Sequence, residues 1–108
     1  MEIKGIYEAL DTDQVSLPDL LVVNTIYELE AWCTSIVART EDGTIIHSRN
    51  LDFGEADSLR DVTFHATFRK DGEEIFDAVM FAGTIGVYTG ERKGAFSVSE
   101  NQRVLEEN

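Results

Sequence analysis

The hydrophobic period of this chain changes once, at Cys33, and that change restricts the fold more than any other feature. Ahead of it apolar residues recur at helical spacing; behind it they alternate nearly to the C-terminus. In EIKGIYEAL, residues 2 to 10, Ile3, Ile6, Tyr7 and Leu10 follow the i, i+3, i+4, i+7 pattern of a short amphipathic helix, weakened by Gly5. After Asp11-Thr12-Asp13, Ser16 stands three residues before Asp19 in the manner of a capping box, and Pro18 suits a first turn. A second helix is expected from about Leu17 to Glu30. Leu17, Leu20, Leu21, Val23, Ile26 and Tyr27 cover more than half its circumference, so it should be buried on two sides.

From Cys33 the alternation predicts strands. Val37 and Ala38 lead into the turn Glu41-Asp42-Gly43, and Thr44, Ile45 and Ile46 lead out of it, the pattern of a β-hairpin. Phe53 to Asp61 reads as a polar loop. Val62 to Lys70 alternates as a half-buried strand, Asp71-Gly72 is a second hairpin turn, and Glu74 to Ala82 returns. Further strands are expected over about Thr84 to Thr89 and, after a turn from Gly90 to Gly94, over Ala95 to Ser99. Two helices followed by five or six antiparallel strands make the fold α+β, with no internal repeat and no linker.

At 108 residues the chain makes one domain at most, and one of this size buries roughly 60 to 70% of its unfolded surface. A hydrophobic content of 43% suffices for a modest core. The net charge of −12 repels phosphate backbones and anionic membrane surfaces, which argues against a nucleic-acid partner. A single cysteine excludes an internal disulfide or a multi-thiolate metal centre. No stretch is long and apolar enough to span a membrane, and no signal-peptide pattern opens the sequence.

The first hairpin concentrates the chemistry. A hairpin brings its ends together, so Cys33 is expected beside Arg49, Asn50 and Asp52, which lie up to nineteen positions later. A guanidinium can lower a thiol's pKa or polarise a carbonyl, and a carboxylate can position an amine. Taken singly, a cysteine at a strand start is more often a small buried hydrophobe than a nucleophile, and Arg49 with Asp52 reads as an ordinary surface ion pair. His47 shares a strand face with Arg49 but lies farther from Cys33, and both it and His65 read as structural. Asp52-Phe53-Gly54 lacks the glycine-rich and His-Arg-Asp loops of a kinase, and Ala38 and Thr40 spoil any calcium loop around Asp42. Neither a metal site nor a cofactor is proposed.

The run Cys33-Thr34-Ser35-Ile36-Val37-Ala38, then Gly43, His47 and Arg49-Asn50-Leu51-Asp52-Phe53, resembles the start of the catalytic subunit in the acid ceramidase and N-acylethanolamine acid amidase family. Upstream, Asp19-Leu20-Leu21, Asn24 and Tyr27-Glu28 resemble the end of that family's small subunit. Downstream, Phe81-Ala82-Gly83, Gly86, Thr89-Gly90 and Phe96-Ser97 follow the same pattern. The resemblance implies the first part of an αββα sandwich, with residues 1–32 closing the small subunit or pro-segment and residues 33–108 opening the catalytic subunit. It implies a cysteine N-terminal-nucleophile amidohydrolase that cleaves itself between Trp32 and Cys33. The freed α-amine serves as base, Asp52 binds the new terminus and thiol, and Arg49 orients Asp52 and the scissile carbonyl. Asn50 and Gln102 are candidate supports of the site.

The implied substrate is a fatty-acid amide, hydrolysed through a thioester. The short Asp52 to Thr63 loop with Leu59-Arg60 resembles the acylethanolamine amidases more than the ceramidases. The implied setting is lysosomal or secretory, with small and catalytic subunits as partners and a membrane-lipid surface as a further contact. Gln102 stands where the family has glutamate, and Thr84 where it has tyrosine. The family's catalytic subunit also runs past the position of Asn108 and takes its oxyanion-hole asparagine from there. Competing readings are a catalytically incompetent truncated member or interaction module, an acid ceramidase-type enzyme, or an acylase of the same superfamily with another acyl group.

Overall fold

The computed structural model describes residues 2–30, 32–54 and 56–102. Two helices come first, α1 (Glu2–Leu10) and α2 (Leu17–Glu30), followed by β1 (Trp32–Arg39) and β2 (Ile45–Asp52). A short helix α3 (Ala56–Asp61) leads to β3 (Thr63–Lys70), β4 (Glu73–Phe81), β5 (Thr89–Arg92) and β6 (Phe96–Ser99). The strands form a two-stranded ribbon, β1-β2, and a four-stranded sheet in the order β3-β4-β5-β6, all antiparallel. The α+β architecture is the one the change of period requires.

α2 starts where the capping pattern places it. The Ser16 hydroxyl donates to Asp19 Oδ2 at 2.5 Å, the Ser16 amide donates to the same oxygen at 2.8 Å, and Asp19 N–H returns to Ser16 Oγ at 3.3 Å. Those bonds from Ser16 hold the Asp19 carboxyl below its ordinary pKa. Burial on two sides is not observed. Leu20 and Tyr27, seven residues apart on one stripe, are buried, whereas Leu21 and Val22 are 48% and 62% exposed. Leu20, Asn24 and Tyr27 make the helix's inward line, Val23 and Ile26 beside them are half-buried, and Leu21 and Val22 face outward.

Asn24 explains a second departure. Its Nδ2 donates to Gly83 O at 2.8 Å and its Oδ1 accepts from Ile85 N–H at 2.9 Å. The backbone expected to extend as a strand from Thr84 is thus bonded to a helix side chain, and residues 84–87 form a loop, with the strand beginning only at Thr89. Gly90 accordingly lies inside β5, and the turn is confined to residues 93–95 with Gly94 at φ 74°. The polar segment after Phe53 contains α3 instead of a plain loop. Asp57 in its first turn and Arg60 in its last suit the helix dipole and pair at 2.6 Å.

The two hairpins turn differently. Asp71 and Gly72 both take positive φ, 53° and 85°, as a two-residue type I′ turn requires. In the first hairpin only Gly43 does, at 90°, and the wider loop is closed by Thr40 N–H on Thr44 O at 2.9 Å. The apolar core is small: Leu20, Tyr27, Ala78, Met80 and Tyr88 are its buried members among the described residues. Ile36, Val37, Ile45 and Ile46 in the first hairpin remain exposed.

Candidate active site

Strand alternation divides the first hairpin into two faces. Cross-strand pairs Cys33↔Leu51, Ser35↔Arg49 and Val37↔His47 share one face, and Trp32↔Asp52 and Thr34↔Asn50 the other. The first face turns toward the four-stranded sheet. Ser35 Oγ meets Ser99 Oγ at 2.6 Å, and His47 Nδ1 meets Ser97 Oγ at 2.7 Å with Nε2 3.3 Å from Ser99 Oγ. Arg49 Nη1 donates to Thr89 Oγ1 at 2.9 Å. The two layers are therefore joined by polar side chains where a sandwich usually interdigitates apolar ones.

Cys33 lies half-buried at the end of this face, packed against the stacked rings of Tyr27 and Tyr88, against which Leu51, Phe53 and Phe81 also pack. The Tyr27 and Tyr88 rings are parallel within 6° with centroids 4.2 Å apart, and Phe53 meets Tyr27 edge-on at 6.0 Å. Among the described residues two polar groups touch the sulfur. Arg49 Nη2 donates to Cys33 Sγ at 3.4 Å, and Tyr27 Oη lies 3.5 Å away. Both also donate to the backbone carbonyl of Glu100, just past β6. Burial, reinforced by the hydrogen bond and charge of Cys33, pushes the Tyr27 hydroxyl well above the ordinary phenol range, against the opposing Arg49 cation.

The sequence correctly brings Arg49 to Cys33. Asp52 lies at the same end of the ribbon but on its other face. Three positions separate Arg49 from Asp52, so they project from opposite faces, and no ion pair joins them among the described residues. Asp52 is exposed, accepts from Asn50 Nδ2 at 2.7 Å, and stands directly across the ribbon from Trp32, itself 73% exposed. Gln102 lies half-buried two residues after Glu100. His47 is spent on the two serines of β6, and His65 is exposed, 4.0 Å from Asp77. Tyr27 is the contact that periodicity hides: its spacing marks only a helix face, and nothing in the local sequence points its hydroxyl at residue 33.

A cleft of about 390 Å³ opens beside this cluster, with Arg49, Asn50, Asp52 and Arg60 among its polar lining and Leu51, Phe53, Leu59 and Phe81 among its apolar lining. Phe53, Leu59 and Phe81 continue into a second, mostly apolar hollow with Val23, Ile26 and Val62. Arg49 touches both the thiol and this cleft. Among the described residues no group of acidic, histidine or cysteine side chains is arranged to hold a metal ion, and no helix is long and apolar enough to cross a membrane.

No protein-family model matches the chain. It is 40% identical over 102 residues to the N-acylethanolamine-hydrolyzing acid amidase of Rattus norvegicus, covering 94% of this chain and 27% of that protein. To the acid ceramidase of Homo sapiens it is 35% identical over 115 residues, covering 94% of this chain and 28% of the ceramidase. A solved structure of the Caenorhabditis elegans ortholog of N-acylethanolamine-hydrolyzing acid amidase superposes with a TM-score of 0.63 at 40% identity, covering 68% of this chain and 32% of that one. The chain thus spans between a quarter and a third of the relatives it matches. The likeness read from the motifs around Cys33 extends over nearly the whole sequence.

Proposed function

From a chain related to the N-acylethanolamine-hydrolyzing acid amidases and acid ceramidases, we propose the nucleophile-bearing part of a cysteine amidase that frees its own active terminus between Trp32 and Cys33 and then hydrolyses fatty-acid amides. The observation that carries this reading is the setting of the thiol. Cys33 lies at the second residue of β1, directly after the helical segment, with a guanidinium 3.4 Å and a phenol 3.5 Å from its sulfur.

In the maturation step the sulfur attacks the Trp32 carbonyl carbon. The C–N bond to Cys33 breaks and the thiol proton ends on the freed amine. Water then hydrolyses the thioester, leaving the Trp32 carboxylate and restoring the thiol. The new α-amine, with an ordinary pKa of about 7.7 to 8.0, accepts the thiol proton in later turnovers. Asp52 pairs across the ribbon with Trp32, so it stands where that terminus would be released. Arg49, lining the cleft and touching the thiol, is suited to stabilise charge developing on a substrate carbonyl oxygen. The continuous apolar lining through Phe53, Leu59 and Phe81 suits a fatty acyl chain.

One observation favours an acylethanolamine over a ceramide. The amidase alignments run over 102 residues, which is about the length of this chain they cover, whereas the ceramidase alignments reach 115 and 117 and need inserted positions. An acidic working pH and a lysosomal or secretory setting belong to the same proposal. Intact-mass measurement after acid incubation is expected to show two pieces divided at Cys33 and a single uncut Cys33→Ala species. In the mature protein, acylethanolamides are expected to outcompete ceramides. An uncut wild-type chain after prolonged incubation rules out the maturation step, and a ceramide preference reverses the substrate assignment.

A further inference from the structure

We infer that Tyr27 is a switchable hydrogen-bond donor to the Cys33 sulfur, accepting from the thiol and donating to the thiolate, and so is a positioning residue of the nucleophile. The inference deepens the proposed role of Cys33 but concerns its thiol chemistry alone.

A phenol has one O–H, and here it is donated to the Glu100 carbonyl. Toward Cys33 Sγ, 3.5 Å away, Tyr27 Oη can then only accept, which orients the S–H along that line. When the thiol loses its proton the sulfur becomes acceptor-only, and the two oriented lone pairs oppose each other. Rotation of the phenolic O–H from Glu100 O to the sulfur removes this conflict. The cost of that rotation is reduced because Arg49 Nη2 also donates to Glu100 O, so the carbonyl keeps a donor after Tyr27 turns away.

The ring itself cannot follow other partners. Tyr27 is 2% exposed and fixed between Tyr88 and Phe53, so the available motion is the hydroxyl rotor. The hydroxyl also stays protonated across the working pH range, since burial raises its pKa. Among the described residues the ionisable groups around the sulfur are Tyr27 from α2, Arg49 from β2 and Glu100 after β6, with the Tyr88 ring stacked on Tyr27. Asp52 belongs to the other face of the ribbon, and His47 is bonded to Ser97 and Ser99. If the chain is cut ahead of Cys33, Tyr27 remains with the upstream piece, and that piece then supplies a side chain to the nucleophile of the downstream one.

Cys33 is the single cysteine, so alkylation by iodoacetamide reports this thiol without ambiguity. The rate is measured against pH for the full chain and for Tyr27→Phe, which keeps the ring stack and removes only the hydroxyl. The expected result is alkylation about tenfold slower near neutral pH, with the midpoint moved up by about one pH unit, because a donor to the charged sulfur is lost. Thermal melting is followed alongside. A superimposable pH profile in a folded Tyr27→Phe chain overturns the inference. Should that variant fail to fold, 3,5-difluorotyrosine incorporated at position 27 keeps shape and hydroxyl but donates more strongly. It is expected to move the midpoint down, and an unmoved midpoint overturns the inference. Intact mass of the same samples reads the cut at Cys33 separately, so a shifted profile in an uncut chain supports Tyr27 while refuting the maturation step.

Discussion

The two hairpins differ in where their side chains bond. β3-β4 is held largely by itself. Phe68 stacks on Phe76 with centroids 4.3 Å apart, Thr67 donates to Asp77 at 2.7 Å, and Arg69 pairs with Glu74, all across the same turn. β1-β2 sends its polar groups elsewhere: Cys33 to α2, Ser35 and His47 to β6, Arg49 to β5 and to the Glu100 carbonyl. A hairpin closed on itself can fold early and stand as scaffold. One whose Ser35, His47 and Arg49 meet partners 40 to 64 residues away is assembled only when the whole chain packs, and that is where separated residues can converge on one sulfur.

The largest expected effect separates the hairpins by function. Arg49→Ala should lower both maturation at Cys33 and amidase turnover by roughly a hundredfold or more, since it removes charge from the reacting centre, as typical losses of an electrostatic donor do. Asp52→Asn should lower turnover to a similar degree by way of the released terminus, even though Asp52 faces away from Arg49. Thr67→Ala on the second hairpin should change neither rate. Steady-state turnover with thermal melts decides, and near-normal rates in Arg49→Ala erase the distinction drawn between the hairpins.

A smaller effect should appear in stability and on the other hairpin. Gly72 holds φ 85° with open space around its Cα, so Gly72→Ala is opposed by backbone conformation and not by a clash. It should cost about 1 kcal/mol, in line with the left-handed penalty for a residue bearing Cβ. Urea unfolding measures this, and maturation corrected for the folded fraction should not change.

The smallest is the Arg69–Glu74 pair, whose side chains are 57% and 59% exposed. Arg69→Met should shift stability by no more than about 0.5 kcal/mol, and by less at high salt. A larger loss in chemical denaturation would mean that the second hairpin depends on its ion pair more than on its ring stack.

What the sequence by itself determined is local and periodic. The change at Cys33 determined α+β, Ser16 and Asp19 determined the start of α2, and the Asp-Gly pairs determined both hairpins, because each depends on backbone preference within a few residues. Convergence of Cys33 and Arg49 was legible as well, since an antiparallel ribbon fixes which ends meet. Parity along the strand, a local rule, separates Arg49 from Asp52, although hairpin closure alone brings both to the end of the ribbon that holds Cys33. Tertiary structure alone decided the rest. Asn24 turned an apparent strand at Thr84 into a loop by bonding Gly83 and Ile85, about sixty residues away. Tyr27, one more apolar residue in a helical pattern, became a contact of the nucleophile because α2 docks where Glu100 passes. Side-chain hydrogen bonds between distant segments leave no period in a sequence, and only packing assigns their partners.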